Sequence, residues 1–242
     1  MFLTSEEIDT SAMTELNHRA VLTGDIIRSS RLSPAQLASV RSSLTAAVAA
    51  VKRWKRGLVS GKLEFYRGDG WQLLLTDPAL AMRAAVFLRA SLLAQGLADT
   101  RVSIGVGEVR NTRSRRTSLS TGQAFVLSGH GLDEMAQHSR MTFEIPESAG
   151  PLSAWPRVVS HLCDALMGRW TRRQAELICA AVVPEEPGAE TVAQSLHPPI
   201  SKQAVAKALK SANWYVLREA IHHFEQASWP ALPRPTQQRK TT

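Results

Sequence analysis

Along the first 150 residues the apolar positions fall into two alternating rhythms. From Arg19 the run AVLTGDII is short and apolar and carries a Gly-Asp near its end, the pattern of a buried strand that stops at an exposed acid. Ser33 and Pro34 then form an N-cap and first-turn pair. Leu37, Val40, Leu44, Val48 and Val51 recur at steps of three and four, which predicts a long amphipathic helix ended near Gly57. KLEFYR and WQLLLT flank GDG, two strand-like runs about a glycine turn, so a hairpin with Asp69 near its tip is expected. A second helix is predicted from Asp77 and Pro78 through Ala85, Leu88 and Leu92 to a stop at Gly96. RVSIGVGEV reads as a fourth strand in which Gly105 and Gly107 mark a close backbone approach or a bulge. After the polar, basic stretch NTRSRRTSLST, a third helix is placed over Gly122 to Gln137, weakened by Gly129 and Gly131, and MTFEI closes as a short strand.

Beyond residue 150 the rhythm is helical. PRVVSHLCDALMGRW reads as an amphipathic connector, and the helix begun by Thr171 turns Ala175, Leu177, Ile178 and Ala181 or Val182 inward before PEEPG breaks it. ETVAQSL, the turn HPPI and SKQAVAKALKSANW then predict a helix-turn-helix: small Ala193 allows a close crossing, while Leu196, Val205 and Leu209 share a core. Ser201 caps the second helix, and Gln203, Lys207 and Lys210 follow at i, i+4 and i+7 on one face, with Lys202 near its start. Gln reads adenine and Lys holds phosphate, so this face suits double-stranded DNA, although the same residues also fit a packed helical hairpin with its lysines in water. The turn LHPPIS, with two prolines, is longer than the usual tight one. Trp214, Val216 or Leu217, Ile221 and Phe224 form a closing stripe, core or dimer surface, and adjacent His222 and His223 point apart, which argues against a shared metal. The division expected is an N-terminal arm (1–18), a sheet domain (19–150), a helical domain (151–227) and a Pro-rich, basic, disordered tail (228–242). Met1 and Met13 both stand as starts.

Composition narrows the partners. A formal charge of +8 and a pI near 10.1 draw a protein toward polyanions, or serve only solubility. Divided at residue 150, the first part holds 18 basic and 14 acidic residues and the second 11 and 7. The net is +4 in each, so basicity is denser in the shorter C-terminal part. Cys163 and Cys179 stand far outside any CxxC spacing, against a disulfide scaffold or a cysteine zinc site. No apolar run approaches the roughly 20 residues of a membrane span, and the N-terminus is acidic and polar, so a soluble cytoplasmic protein with no membrane partner is expected.

The order strand, helix, hairpin, helix, strand is the split βαββαβ pattern, and the fold expected is α+β, a ferredoxin-like sheet domain followed by an all-α helix-turn-helix domain. In that topology the first two strands run parallel, which puts the hairpin tip at the C-terminal end of the first. Asp25 and Asp69 then share one edge, beside backbone groups of Gly24 and of Gly68 in the glycine turn. Paired carboxylates there suit Mg2+ or Mn2+, which bridge to phosphates, or else simply shape turns. Among the basic loop residues Arg110, Arg113, Arg115 and Arg116, the last three are candidate contacts to a nucleoside triphosphate, or to nucleic acid, or the loop is merely solvated.

TGDIIRSS, FYRGDGWQLLL, RVSIGVGEV and TGQAF, in that order and spacing, resemble the SatD family, whose N-terminal domain is similar to class III nucleotidyl cyclase domains. The resemblance covers roughly Arg19 to Met135 and continues into the helical part, where such proteins carry a helix-turn-helix similar to the fourth region of sigma factors, often with a Trp like Trp214. It implies that Asp25, Asp69 and the backbone carbonyl of Ile26 hold two divalent ions. The sequence departs from the cyclase pattern where an Asn and an Arg are normally presented to ribose and triphosphate: Val126 and His130 stand there. Loss of a fixed cation removes transition-state stabilisation, so the expectation is a DNA-binding regulator with a catalytically degenerate, nucleotide-binding sensor domain, acting as a homodimer. The alternatives are an active nucleotidyl transferase or cyclase using two metals, and a protein-interaction module.

Overall fold

The computed structural model describes residues 18–66, 68–110, 121–150, 153–196 and 198–229. These form a mixed α+β structure with one five-stranded mixed sheet and, among the described residues, eight α-helices. Strand β1 (His18–Ile26) leads into helix α1 (Pro34–Trp54), the hairpin strands β2 (Val59–Tyr66) and β3 (Gly70–Leu75), helix α2 (Ala81–Gln95) and strand β4 (Thr100–Glu108). Helix α3 (Gln123–Asp133) and strand β5 (Met141–Glu144) complete the sheet part. The strand order is β2-β3-β1-β4-β5, antiparallel throughout except for the β4–β5 pair. No helix among the described residues is long and apolar enough to cross a membrane.

Local chemistry explains where the elements begin and end. The Ser33 hydroxyl accepts from the Gln36 amide while the Gln36 side chain accepts from the Ser33 amide, a reciprocal cap that starts α1 with Pro34 in its first turn. The predicted stripe of α1 is buried at Val40, Leu44, Val48 and Val51, with Leu37 half-buried. A 3-10 turn at Pro78–Leu80, capped by the Asp77 side chain, precedes α2, and Gly96 ends α2 in the left-handed conformation at φ 68°. Helix α3 stops at Asp133, four residues before the predicted end, and the chain turns before β5. Gly105 marks a close approach: a Cβ there would sit 2.4 Å from the Ala124 carbonyl oxygen, because α3 lies flat against β4.

The sheet is covered on both faces. Ala20, Leu22 and Ile26 of β1 pack with the apolar faces of α1 and α2, while Val21 and Leu74 meet Ala124 of α3 on the other side. Helix α2 is apolar nearly all round and buried nearly all round, the property of a helix enclosed between layers. Its outer side packs on α5 (Arg172–Ala181) and α8 (Trp214–Gln226), and α4 (Trp155–Met167), α6 (Ala189–Ser195) and α7 (Lys202–Ser211) join them in one continuous apolar core. Two buried arginines of α2 fasten this junction. Arg83 donates to the Val182 and Val183 carbonyls and to Glu186 and Glu225; Arg89 holds Asp99 and, across to α4, Asp164. Trp229, assigned by sequence to the tail, is buried on Phe143, Trp155 and Phe224, and its indole donates to the Phe224 carbonyl at 2.7 Å. Of the expected arm, His18 already belongs to β1; residues 1–17 and the tail from residue 230 lie outside the described residues.

Candidate functional site

Asp25 is the penultimate residue of β1, opposite Gly70 of β3 and Arg101 of β4 in the antiparallel register. Its main chain is fixed: the Thr100 hydroxyl donates to the Asp25 carbonyl at 2.6 Å and accepts from the Trp71 indole at 2.9 Å. Gly24 makes room for that indole, since a Cβ there would lie 2.5 Å from the Trp71 ring and 2.3 Å from the Arg101 carbonyl oxygen. The Asp25 carboxylate is held by Arg101 in a two-pronged pair, Nε to Oδ1 at 2.9 Å and Nη2 to Oδ2. That bond, opposed by partial burial and aided by the charges of Asp25, Asp133 and Asp69, holds the Arg101 guanidinium above its ordinary pKa.

The hairpin delivers Asp69 to the same place. Its carbonyl accepts from the Ile26 amide at 3.2 Å, its carboxylate accepts from the Ser29 hydroxyl, and Arg41 donates to the neighbouring Gly68 carbonyl. Asp25 and Asp69 line two hollows. The first, about 400 Å³, is completed by Thr23, Tyr66, Gln72 and Asp133 among others. The second, about 450 Å³, is lined by Arg28, Arg101 and Arg140 as well as Ser29. Asp25 and Asp69 thus share the first hollow with a third carboxylate, Asp133, and the second with three guanidinium groups.

The donor set is oxygen, as hard divalent ions require. Among the described residues no group of three or more His, Cys, Asp or Glu side chains converges to hold a metal by itself. Mg2+ is usually held by one or two carboxylates with waters and substrate phosphates rather than by an all-protein cage, so the Asp25–Asp69 pair fits such an ion in chemistry. The Ile26 carbonyl belongs to the residue that carries this edge into the second hollow.

Of the other candidates, Gly24 lines the first hollow and Gly68 is exposed at the hairpin tip with φ 84°. Arg113, Arg115 and Arg116 lie outside the described residues. Val126 and His130 are both exposed on α3. Arg101, Arg28, Arg140 and Asp133 went unassigned in the sequence reading. Only Arg101 had a usable signal, since counting the β1–β4 register from the strand ends sets it opposite Asp25.

A second candidate surface lies on α7. The Ser201 hydroxyl accepts from the Ala204 amide at 3.2 Å and starts the helix; Ser201, Lys202, Gln203, Lys207 and Lys210 are exposed while Val205 and Leu209 are buried. Val192, Ala193 and Leu196 of the preceding segment are buried with them. The Trp170 indole donates to the Ala212 carbonyl and Gln174 to the Ser211 hydroxyl, both at 2.9 Å, tying the end of α7 to α5. Trp214 is a core residue, and Leu217 rather than Val216 faces inward with it.

Neither a protein-family model nor a curated protein matches the chain. The thiols of buried Cys163 and half-buried Cys179 lie away from both surfaces: desolvation, with the nearby Asp164 charge, pushes Cys163 up to about 12, and desolvation pushes Cys179 up to about 11.

Proposed function

We propose that the protein is a DNA-binding regulator. In this reading a SatD-like, cyclase-type sheet of ferredoxin-like order binds a nucleotide with Mg2+ or Mn2+, and α6 and α7 form a helix-turn-helix that contacts double-stranded DNA. The observation that carries the reading is that Asp25 and Asp69 line one hollow together with Arg28, Arg101 and Arg140. Carboxylates hold the ion and guanidinium groups hold phosphate, and a bound nucleotide needs both within a few ångströms. The DNA half is supported by the exposed row Lys202, Gln203, Lys207 and Lys210 on a helix whose opposite face is buried. A homodimer follows from pairing two such helices on two half-sites.

An enzymatic reading, nucleotidyl transfer with two metals at Asp25 and Asp69, draws on one specific observation: the fixed cations Arg28, Arg101 and Arg140 line the hollow that Asp25 and Asp69 share.

One experiment separates these readings. Thermal unfolding is followed with each nucleoside triphosphate plus Mg2+ or Mn2+, and the incubated nucleotide is analysed for products. Ligand at 100 times Kd adds about 2.7 kcal/mol, a measurable shift. A shift that Asp25→Asn and Asp69→Asn abolish, without product, supports the sensor; a new product supports the enzyme; no shift with any nucleotide refutes both. Independently, Lys207→Glu with Lys210→Glu is expected to weaken DNA binding strongly at physiological salt, and unchanged affinity removes DNA from the proposal.

A further inference from the structure

We infer that Arg101 is a resident counter-ion that a divalent cation must displace from Asp25, so that Arg101 sets the metal affinity of this site. The inference rests on the reading of Asp25 and Asp69 as metal ligands.

The geometry is one of direct competition. Arg101 engages both carboxylate oxygens of Asp25, the same atoms a metal ion needs. Among the three partly or fully buried arginine clusters of the α2–β4 region, this one alone is built to open. Arg83 and Arg89 have side chains 2% and 1% exposed, and each is held by two carboxylates besides its other acceptors. The Arg101 side chain is 32% exposed, and its hydrogen-bonded partner among the described residues is Asp25. Arg101 also lines the second hollow, so its side chain has room to move without breaking the core.

The rest of Asp25 does not depend on the arginine. Thr100 and Trp71 hold its backbone, so exchanging guanidinium for metal changes the partner of the carboxylate and leaves its position on the strand end. Once Arg101 has left, Asp25 and Asp69 face the ion together, with Asp133 adding a third negative charge to the first hollow. Displacement replaces one positive charge by two, and the carboxylates of Asp25, Asp69 and Asp133 around the first hollow offset the added charge.

The test uses Mn2+ and the full chain, with bound metal read from loss of the free Mn2+ paramagnetic resonance signal, a measurement independent of turnover. Arg101→Gln is expected to bind Mn2+ roughly tenfold more tightly than wild type, the equivalent of about 1.4 kcal/mol. Arg101→Lys, which keeps the charge but not the two-pronged grip, is expected to fall between them. The gain should vanish in Asp25→Asn with Arg101→Gln. Cooperative unfolding of each variant verifies its fold, and Arg101→Lys serves as the alternative if Arg101→Gln is misfolded. Equal Mn2+ affinity in wild type and both variants overturns the inference while leaving Asp25 as a ligand. A gain that survives Asp25→Asn also overturns it, because the effect is then general electrostatics. If neither wild type nor Arg101→Gln binds Mn2+, the metal reading fails and the inference with it.

Discussion

Replacing Arg83 by Met tests whether the helical part and the sheet part fold as one body. Arg83 projects from α2 with a side chain 2% exposed, and it joins Glu225 of α8, Glu186 and the Val182 and Val183 carbonyls that end α5. Methionine keeps most of the apolar stem and removes the charge. Breaking a buried ion pair by deleting one partner costs about 3–5 kcal/mol. Here Glu186 and Glu225 keep 23% and 22% of their side chains open to water, which rehydrates them in part, so the expected cost lies near 3 kcal/mol. Against a typical total of about 5–15 kcal/mol that is a large fraction.

Urea unfolding followed by tryptophan fluorescence and far-ultraviolet circular dichroism should show one transition, with its midpoint lowered by roughly 1 M. The difference should also depend on pH with a definite sign. Burial alone raises the Glu186 pKa, but hydrogen bonds and charges from Arg83 and His222 outweigh it and hold the carboxyl below its ordinary value. A carboxyl depressed in the folded state contributes stability that is fully present above its unfolded pKa, about 4.3, and is lost as pH falls through the folded value. The gap between wild type and Arg83→Met should therefore be constant near neutrality and narrow below about pH 4.3. A loss under about 1 kcal/mol, or a split transition in which the sheet part is unmoved, would show that Arg83 does not join the two parts into one folding unit.

Two further predictions concern packing. Gly24→Ala places a methyl group 2.3 Å from the Arg101 carbonyl oxygen and 2.5 Å from the Trp71 ring, and the carbonyl cannot yield without disturbing the β1–β4 pairing. A loss of about 3 kcal/mol is expected from overpacking, read from urea midpoints; a change under about 0.5 kcal/mol would show that the strand yields freely. Cys163, pushed up to about 12, carries at pH 8 a thiolate fraction on the order of 10⁻⁴, against about a quarter for an unperturbed thiol of pKa near 8.5. Native protein should resist iodoacetamide at Cys163 and react on unfolding, and equal rates in the two states would contradict the burial.

Much of the fold was legible because it follows from local rules. The Ser33–Pro34 start of α1, the Thr171 and Ser201 caps and the Gly96 stop are each set by a few neighbouring residues, and each lies where the sequence signal puts it. Alternation and turn chemistry likewise give the β2–β3 hairpin and carry Asp69 to the end of β1. The end of α3 was misread because the apolar spacing continues to Met135, which is buried in the turn without being helical. Trp229 was misread because its neighbours are proline and polar residues, whereas its environment is made by Phe143, Trp155 and Phe224.

The site was half legible for a related reason. Carboxylates beside glycines at strand ends announce themselves in sequence, but the cations that answer them come from unrelated elements: Arg28 after β1, Arg101 at the start of β4 and Arg140 before β5. Only tertiary pairing brings these together. The same limit hid Arg83 and Arg89, which sit at positions of α2 that on any exposed helix would be solvated. Their burial is dictated by the all-round apolar character of that helix, because a helix covered on every side must find partners for every charge it carries. Asp99 shows the consequence for the site: its carboxylate holds Arg89 while its carbonyl accepts the Ile27 amide at 2.9 Å, two residues past Asp25. The strand end that carries the candidate site is thereby linked, through Asp99, to the same arginine that grips α4 through Asp164, and a change in Asp25's partner acts on a segment already joined to the C-terminal helices.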